Sequence, residues 1–123
     1  MSVTRTIAAF AGACGALAVV LGAFGAHALR NVGDAASLQV WHTAVEYQFW
    51  HALALLAVAS APVSRWRSAS AVCFALGIMA FCGSLYALVL GAPRAFGAVT
   101  PFGGMCLIGG WIAMGCAFWR TAK

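Results

Sequence analysis

A chain of 123 residues with 64% hydrophobic and 7% charged side chains, and a mean hydropathy of +0.96, cannot cover a water-facing surface; an ordinary soluble domain is roughly 25% charged. The net charge of +5 sets seven Lys and Arg against Asp34 and Glu46. The basic residues are scattered between and outside the apolar runs, which excludes a nucleic-acid-binding face and reads as membrane topology.

The first run, Ile7 to His27, follows Arg5 and is about long enough to cross the roughly 30 Å hydrocarbon core as a helix. Small residues recur four apart at Gly12 and Ala16 and at Ala18, Gly22 and Ala26, so neighbouring helices can approach closely. A cleaved signal peptide is the rival reading, with Ala26-His27-Ala28 as an A-x-A-like site. Arg30 to Gln39 then reads as a loop, broken by Gly33 and Asp34, with Asp34 able to cap a short helix over Ala35 to Leu38.

The second run, Val40 to Ser60, is the unusual one. It is apolar enough to span, yet it carries His42, Glu46, Gln48 and His51, and a charge inside a spanning helix needs a partner. Pro62 closes it, and Arg65 and Arg67 around Trp66 form a basic interfacial anchor. The third run, Ala69 to Leu90, is apolar except for Ser84 and Tyr86, with Gly83, Ala87 and Gly91 as a small-residue stripe. After a tight loop holding Pro93 and Arg94, the last run starts near Val99-Thr100-Pro101 and ends around Phe118-Trp119, with Arg120 and Lys123 beyond it. Pro101 suits a helix's first turn, and Gly103, Gly104, Gly109, Gly110 and Gly115 imply close packing.

Residues 1–123 thus read as a single all-α membrane domain, four transmembrane helices in a compact bundle. Arg5, Arg65, Arg67, Arg120 and Lys123 fall on one side and Arg30 and Arg94 on the other, which places both termini in the cytoplasm. This topology gathers His27, His42, Glu46, Ser84, Tyr86, Arg94 and Thr100 into the outer half and leaves the cytoplasmic half nearly all apolar. Glu46 is expected to meet His27, Tyr86, Arg94 or Arg30 across helices. It serves either as a structural carboxylate or as a proton-exchanging group facing an outward cavity. His51 lies deep, is suited to a buried packing contact, and shares a face with Tyr47, which suggests a local hydrogen bond. His42 is expected at the interface.

Cofactors and metals find no support. His27 and His51 sit at different depths, against a shared haem, and His42 and His51 point in opposite directions on one helix. The five cysteines, Cys14, Cys73, Cys82, Cys106 and Cys116, all lie within apolar runs without a C-x-x-C pair. They read as small buried hydrophobes rather than disulfides or metal ligands. No nucleophile elbow, P-loop or H-E-x-x-H is present.

Five motifs occur in order: LGAFGAH (Leu21 to His27), EYQFWHALALL (Glu46 to Leu56), FCGSLYAL (Phe81 to Leu88), VTPFGG (Val99 to Gly104) and GWIAMG (Gly110 to Gly115). Together they resemble the small membrane proteins collected as domain of unknown function four-two-three, the YgdD/YwdK-like family, and are similar to the eukaryotic transmembrane protein two-five-six. The resemblance implies a four-helix protein of the bacterial inner membrane in which the first segment is retained. It places motif positions on Gly22, Gly25, His27, Glu46, Tyr47, Gln48, His51, Gly83, Ser84, Tyr86, Thr100, Pro101, Gly103 and Gly104, and it transfers no activity. The expected function is non-enzymatic. Small-residue stripes and short loops favour an accessory or assembly subunit, a homo-oligomer or part of a larger complex, whose partners are the bilayer and other membrane helices. The alternatives are a small transporter with an outward pocket around Glu46 and His27, and an enzyme on a lipid or quinone with Glu46 or His27 as general base.

Overall fold

A computed structural model describes residues 2–120; Lys123, expected as a terminal anchor, lies outside them. Among the described residues the chain is helical throughout, with no strand. Helix α1 runs Val3–His27, where the Ser2 hydroxyl accepts from the Arg5 amide at 3.3 Å. Helix α2 runs Ala35–Ser60, capped by Asp34, whose Oδ1 accepts from the Ser37 amide at 2.7 Å. That backbone hydrogen bond holds the Asp34 carboxyl below its ordinary pKa. Asp34 therefore starts the central helix itself rather than a separate short one, and α2 begins five residues before Val40.

Helix α3 spans Arg65–Val89, capped by the Ser64 hydroxyl, which accepts from the Arg67 amide at 3.2 Å. It begins four residues before the expected Ala69, which draws Arg65, Trp66 and Arg67 into its first turn. Its middle, Ile78–Cys82, is π-helical. Gly91, at φ +100, makes the turn that an L side chain would resist. A 3₁₀ turn over Arg94–Ala98 then leads into α4, Val99–Trp119, with Pro101 in its first turn.

Three stretches, Val3–His27, Arg65–Val89 and Arg94–Trp119, are long and apolar enough to cross a membrane. Helix α2 has the length, 26 residues or about 39 Å, but its polar side chains lower its hydropathy. Helix α1 packs on α2 and α4 on α3, while α2 and α3 pack on each other; α1 and α4 share no extended interface. The arrangement is thus centred on α2 and α3 and is not the closed ring that a compact bundle implies. The core joins Ile7, Ala11 and Cys14 of α1 to Ala44, Leu55 and Val58 of α2, Phe74, Ile78 and Cys82 of α3, and Leu107 of α4. The cysteines of that core are free thiols, as are Cys73, Cys106 and Cys116.

Candidate functional site

The inward stripe of α2 is Trp41, Ala44, Gln48, His51, Leu55 and Val58, all buried. Their spacing of three and four places them on one face. Each polar member of that stripe reaches beyond its own helix. Trp41 Nε1 donates to the Leu21 carbonyl of α1 at 2.8 Å, and its ring lies edge-on to Tyr86 at 4.7 Å between centroids. Gln48 Nε2 donates to the Cys14 carbonyl of α1 at 2.8 Å, and its Oε1 accepts from the Tyr86 hydroxyl of α3 at 2.8 Å. One amide therefore clips three helices together, with donor and acceptor both used.

His51 completes the series toward α4. Its Nε2 lies 3.1 Å from Trp111 Nε1, and its Nδ1 lies 2.6 Å from the Tyr47 carbonyl. An indole nitrogen can only donate, so Nε2 must accept and Nδ1 must carry the proton that goes to Tyr47. The hydrogen bonds thus specify a neutral imidazole in the Nδ1–H tautomer. Tyr47 stacks beside it at 5.8 Å, and Phe74 lies at 5.6 Å. Ser84 and Thr100 bond hydroxyl to hydroxyl between α3 and α4, and Ser84 also donates to the Phe81 carbonyl at 3.0 Å.

Four residues expected in this cluster take other positions or partners. Glu46 pairs with His42 one turn away on the same helix, Nε2 to Oε1 at 2.9 Å, with the two side chains 43% and 64% exposed. It lies about 200° around α2 from Gln48, so burying Gln48 turns Glu46 outward. His27 is exposed at the end of α1, and Arg94 is exposed at the start of the 3₁₀ turn. Neither makes a side-chain hydrogen bond with another described residue. At the end of the bundle that holds the α1–α2 loop, a cleft of about 550 Å³ between α1 and α2 is lined by Arg30, Gln39, His42 and Trp41; Glu46 and His27 do not line it.

The glycines divide similarly. A Cβ on Gly25 would meet Trp41 Cδ1 at 2.5 Å, and one on Gly103 would fall on the backbone nitrogen of Phe81. Gly22 leaves 3.4 Å to Val45, and Gly104 leaves 3.7 Å to Phe81. Gly83 faces open space and packs on nothing, contrary to expectation. Trp41, Trp111 and Gly77, whose missing Cβ admits Leu107, went unmarked.

The half of the bundle that holds Arg67, expected to be almost purely apolar, is not so. Ser70 is fully buried and donates to the Gly110 carbonyl at 2.9 Å. Arg67 is only 4% exposed and donates through Nη2 to the Thr4 hydroxyl, so its side chain packs inward rather than standing free at the surface. Both lie on the buried stripe Arg67, Ser70, Phe74, Gly77 of α3, a three-and-four spacing visible in the sequence once the helix is started at Arg65. No group of three or more His, Cys, Asp or Glu able to hold a metal ion occurs among the described residues.

The family model described as protein of unknown function (DUF423) matches residues 21–104. UPF0382 inner membrane protein YgdD of Escherichia coli strain K12 is 41% identical over 114 residues, covering 90% of this chain and 87% of that protein. UPF0382 membrane protein YwdK of Bacillus subtilis strain 168 is 45% identical over 101 residues, 78% of this chain and 81% of that protein. A UPF0382 membrane protein of Haemophilus influenzae is 38% identical over 102 residues, 81% and 82% of the two chains. No solved structure matches. The chain is a helical inner-membrane protein and belongs to the DUF423 family of proteins of unknown function.

Proposed function

We propose that this is a single four-span domain with both termini in the cytoplasm that works without catalysis, by associating with further membrane helices, either of a second copy or of a larger complex. The observation that carries the reading is the occupation of the interior polar groups. Gln48, Tyr86, His51, Ser84 and Ser70 each spend their hydrogen bonds on another helix or on their own backbone, which leaves no base or nucleophile poised in the core. The outer faces support association: Gly12 and Gly15 of α1 and Gly115 of α4 have open space where a Cβ would stand, so a neighbouring helix can come close. The orientation rests on Arg5, Arg65, Arg67 and Arg120 at one end against Arg30 and Arg94 at the other.

Native mass spectrometry after gentle extraction from the host membrane, with an absorption spectrum of the same sample, tests this. A homo-oligomer or a stoichiometric foreign subunit is expected. A colourless monomer that passes a solute when reconstituted would overturn it and favour the second reading, a solute-binding module, to which the outer cleft lends support. Glu46→Gln separates the two. A transport phenotype lost in that variant supports the module, whereas retained function fits a carboxylate that only faces His42.

A further inference from the structure

The arginine end of the bundle holds an electrostatic problem that the chain does not solve. Arg67 is buried at 4% exposure, and the one side-chain partner of its guanidinium among the described residues is neutral, the Thr4 hydroxyl. Arg67 Nε and the neighbouring Trp66 Nε1 are the two buried side-chain polar atoms without a partner among the described residues. Both are donors that cannot accept, so both call for an acceptor. Buried polar groups without partners are rare enough that each implies something bound there or displaced.

The chain has no side-chain acid to supply. Its two carboxylates are Asp34 and Glu46. Measured back from Ser60, the end of α2 nearest α3's start, Glu46 lies 14 residues away, about 21 Å, already occupied by His42. Asp34 caps the far end of the same helix. Around Arg67 the other charges among the described residues are cations. The guanidinium carbons of Arg65 and Arg120 both stand over the Trp66 ring, at 5.4 and 5.8 Å. A buried cation among further cations, without a counter-ion, is strongly unfavourable unless an anion arrives from outside.

At the same end of the bundle a strongly apolar groove of about 330 Å³ runs between α1 and α3, lined by residues next in sequence to Thr4 and Arg67. Thr6 and Ser68 stand at its head, beside the Arg67–Thr4 contact, and Ile7, Phe10, Val72 and Ala75 continue it toward the middle of the bundle. From Ser68 to Ala75 is about 10 Å along the helix. A cation at the head of an apolar slot, at the end of a spanning helix, matches an amphiphile with an anionic head and a hydrocarbon tail.

We propose that this end binds an anionic phospholipid, with its phosphate on the Arg67 guanidinium and one acyl chain in the α1–α3 groove. Arg65 and Arg120 add positive charge at the same end, which favours a lipid with net negative charge over a zwitterionic one. Because Arg67 Nε and Trp66 Nε1 are shut off from solvent, the phosphate takes over the guanidinium as the Thr4 bond opens and the side chain turns outward. The site is independent of the association reading and requires only that α3 cross the membrane.

The test uses the full chain, purified and stripped of lipid in detergent, titrated with phosphatidylglycerol, phosphatidylcholine or inorganic phosphate and followed by native mass spectrometry and thermal unfolding. Phosphatidylglycerol is expected to bind at one site per chain and raise the unfolding temperature, with phosphatidylcholine at least about fivefold weaker, the worth of one arginine at a membrane surface. Arg67→Gln should remove that preference. Ala75→Phe, which fills the groove and leaves the guanidinium untouched, should weaken phosphatidylglycerol and not inorganic phosphate, and it serves if Arg67→Gln does not fold. Equal binding of the two lipids by the unmodified chain would overturn the proposal. Inorganic phosphate as effective as phosphatidylglycerol would overturn the lipid as its source, and undiminished preference in a folded Arg67→Gln would overturn the assigned residue.

Discussion

Gln48 is the side chain whose removal should be felt most widely, because its amide serves α1 and α3 at once. Replacing it with leucine roughly keeps the volume, makes the side chain apolar, and deletes the bonds to the Cys14 carbonyl and the Tyr86 hydroxyl. Interhelical hydrogen bonds in membranes average about 0.6 kcal/mol and reach about 1.7, so the two together are worth about 1 to 3 kcal/mol. The half-buried Tyr86 hydroxyl left without an acceptor keeps the figure toward the upper end. Tyr86→Phe should cost about 0.6 to 1.7 kcal/mol, one bond, since the Trp41 ring contact survives. Unfolding free energies in bicelles by steric trapping, taken around the cycle of both single variants and the double, isolate the Tyr86–Gln48 term. In the Gln48→Leu background Tyr86→Phe should be nearly silent. An undiminished cost there would mean the two side chains do not meet, and the three-helix clip would have to be abandoned.

The remaining expectations use different handles. Gly103→Ala should destabilise by about 1 to 3 kcal/mol by forcing α4 off the Phe81 backbone; Gly83→Ala, facing open space in mid-helix, should be neutral or stabilising by up to about 1 kcal/mol; equal effects would contradict the packing. Nitrogen-15 shifts of His51 should report the Nδ1–H tautomer, and an Nε2–H signal would rule out the Trp111 bond. Asp34, its carboxyl held below the ordinary value by the Ser37 amide, should support the first turn of α2 at neutral pH. Because the folded value is the depressed one, that support is present above the ordinary aspartate pKa and fades as pH falls through the folded one. Exchange protection of the Ser37 amide should follow that course, and protection independent of acidification would count against the cap.

The four helices could be read from apolar run length because each is long and bounded by loops rich in Gly, Pro or Arg. Their starts were less legible. Ser2, Asp34 and Ser64 each cap a helix several residues before hydrophobicity rises, so a hydropathy threshold enters late. That offset has chemical consequences, since it made Arg67 a loop residue when it belongs to a buried helical stripe. The inward face of α2 was also available: Trp41, Ala44, Gln48, His51, Leu55 and Val58 keep a three-and-four spacing that Glu46 breaks. Charge drew the eye to Glu46, and helical phase would have chosen Gln48. Which backbone carbonyls receive Gln48 and Trp41 depends on the relative height of α1 and α2, a tertiary quantity without local sequence signal.

The π-helical segment Ile78–Cys82 sets how α3 serves two masters. A π turn holds one more residue than the α turn it replaces, and each residue advances an α-helix by about 100°. The stretch after Cys82 is therefore out of step with the stretch before Ile78. Upstream, Ser70 and Phe74 address Gly110 and the core; downstream, Tyr86 reaches Gln48 while Ser84 reaches Thr100. The extra residue acts as a phase shifter in a rod that would otherwise aim one stripe at one neighbour. Closing that turn to a regular α turn with every residue kept would swing Ser84 and Tyr86 by about 100° away from both partners, whereas deleting one residue between Ile78 and Cys82 would let the turn close with both still in place. For this chain the wide turn in the third helix is as much a part of the interhelical wiring as the side chains on either side of it.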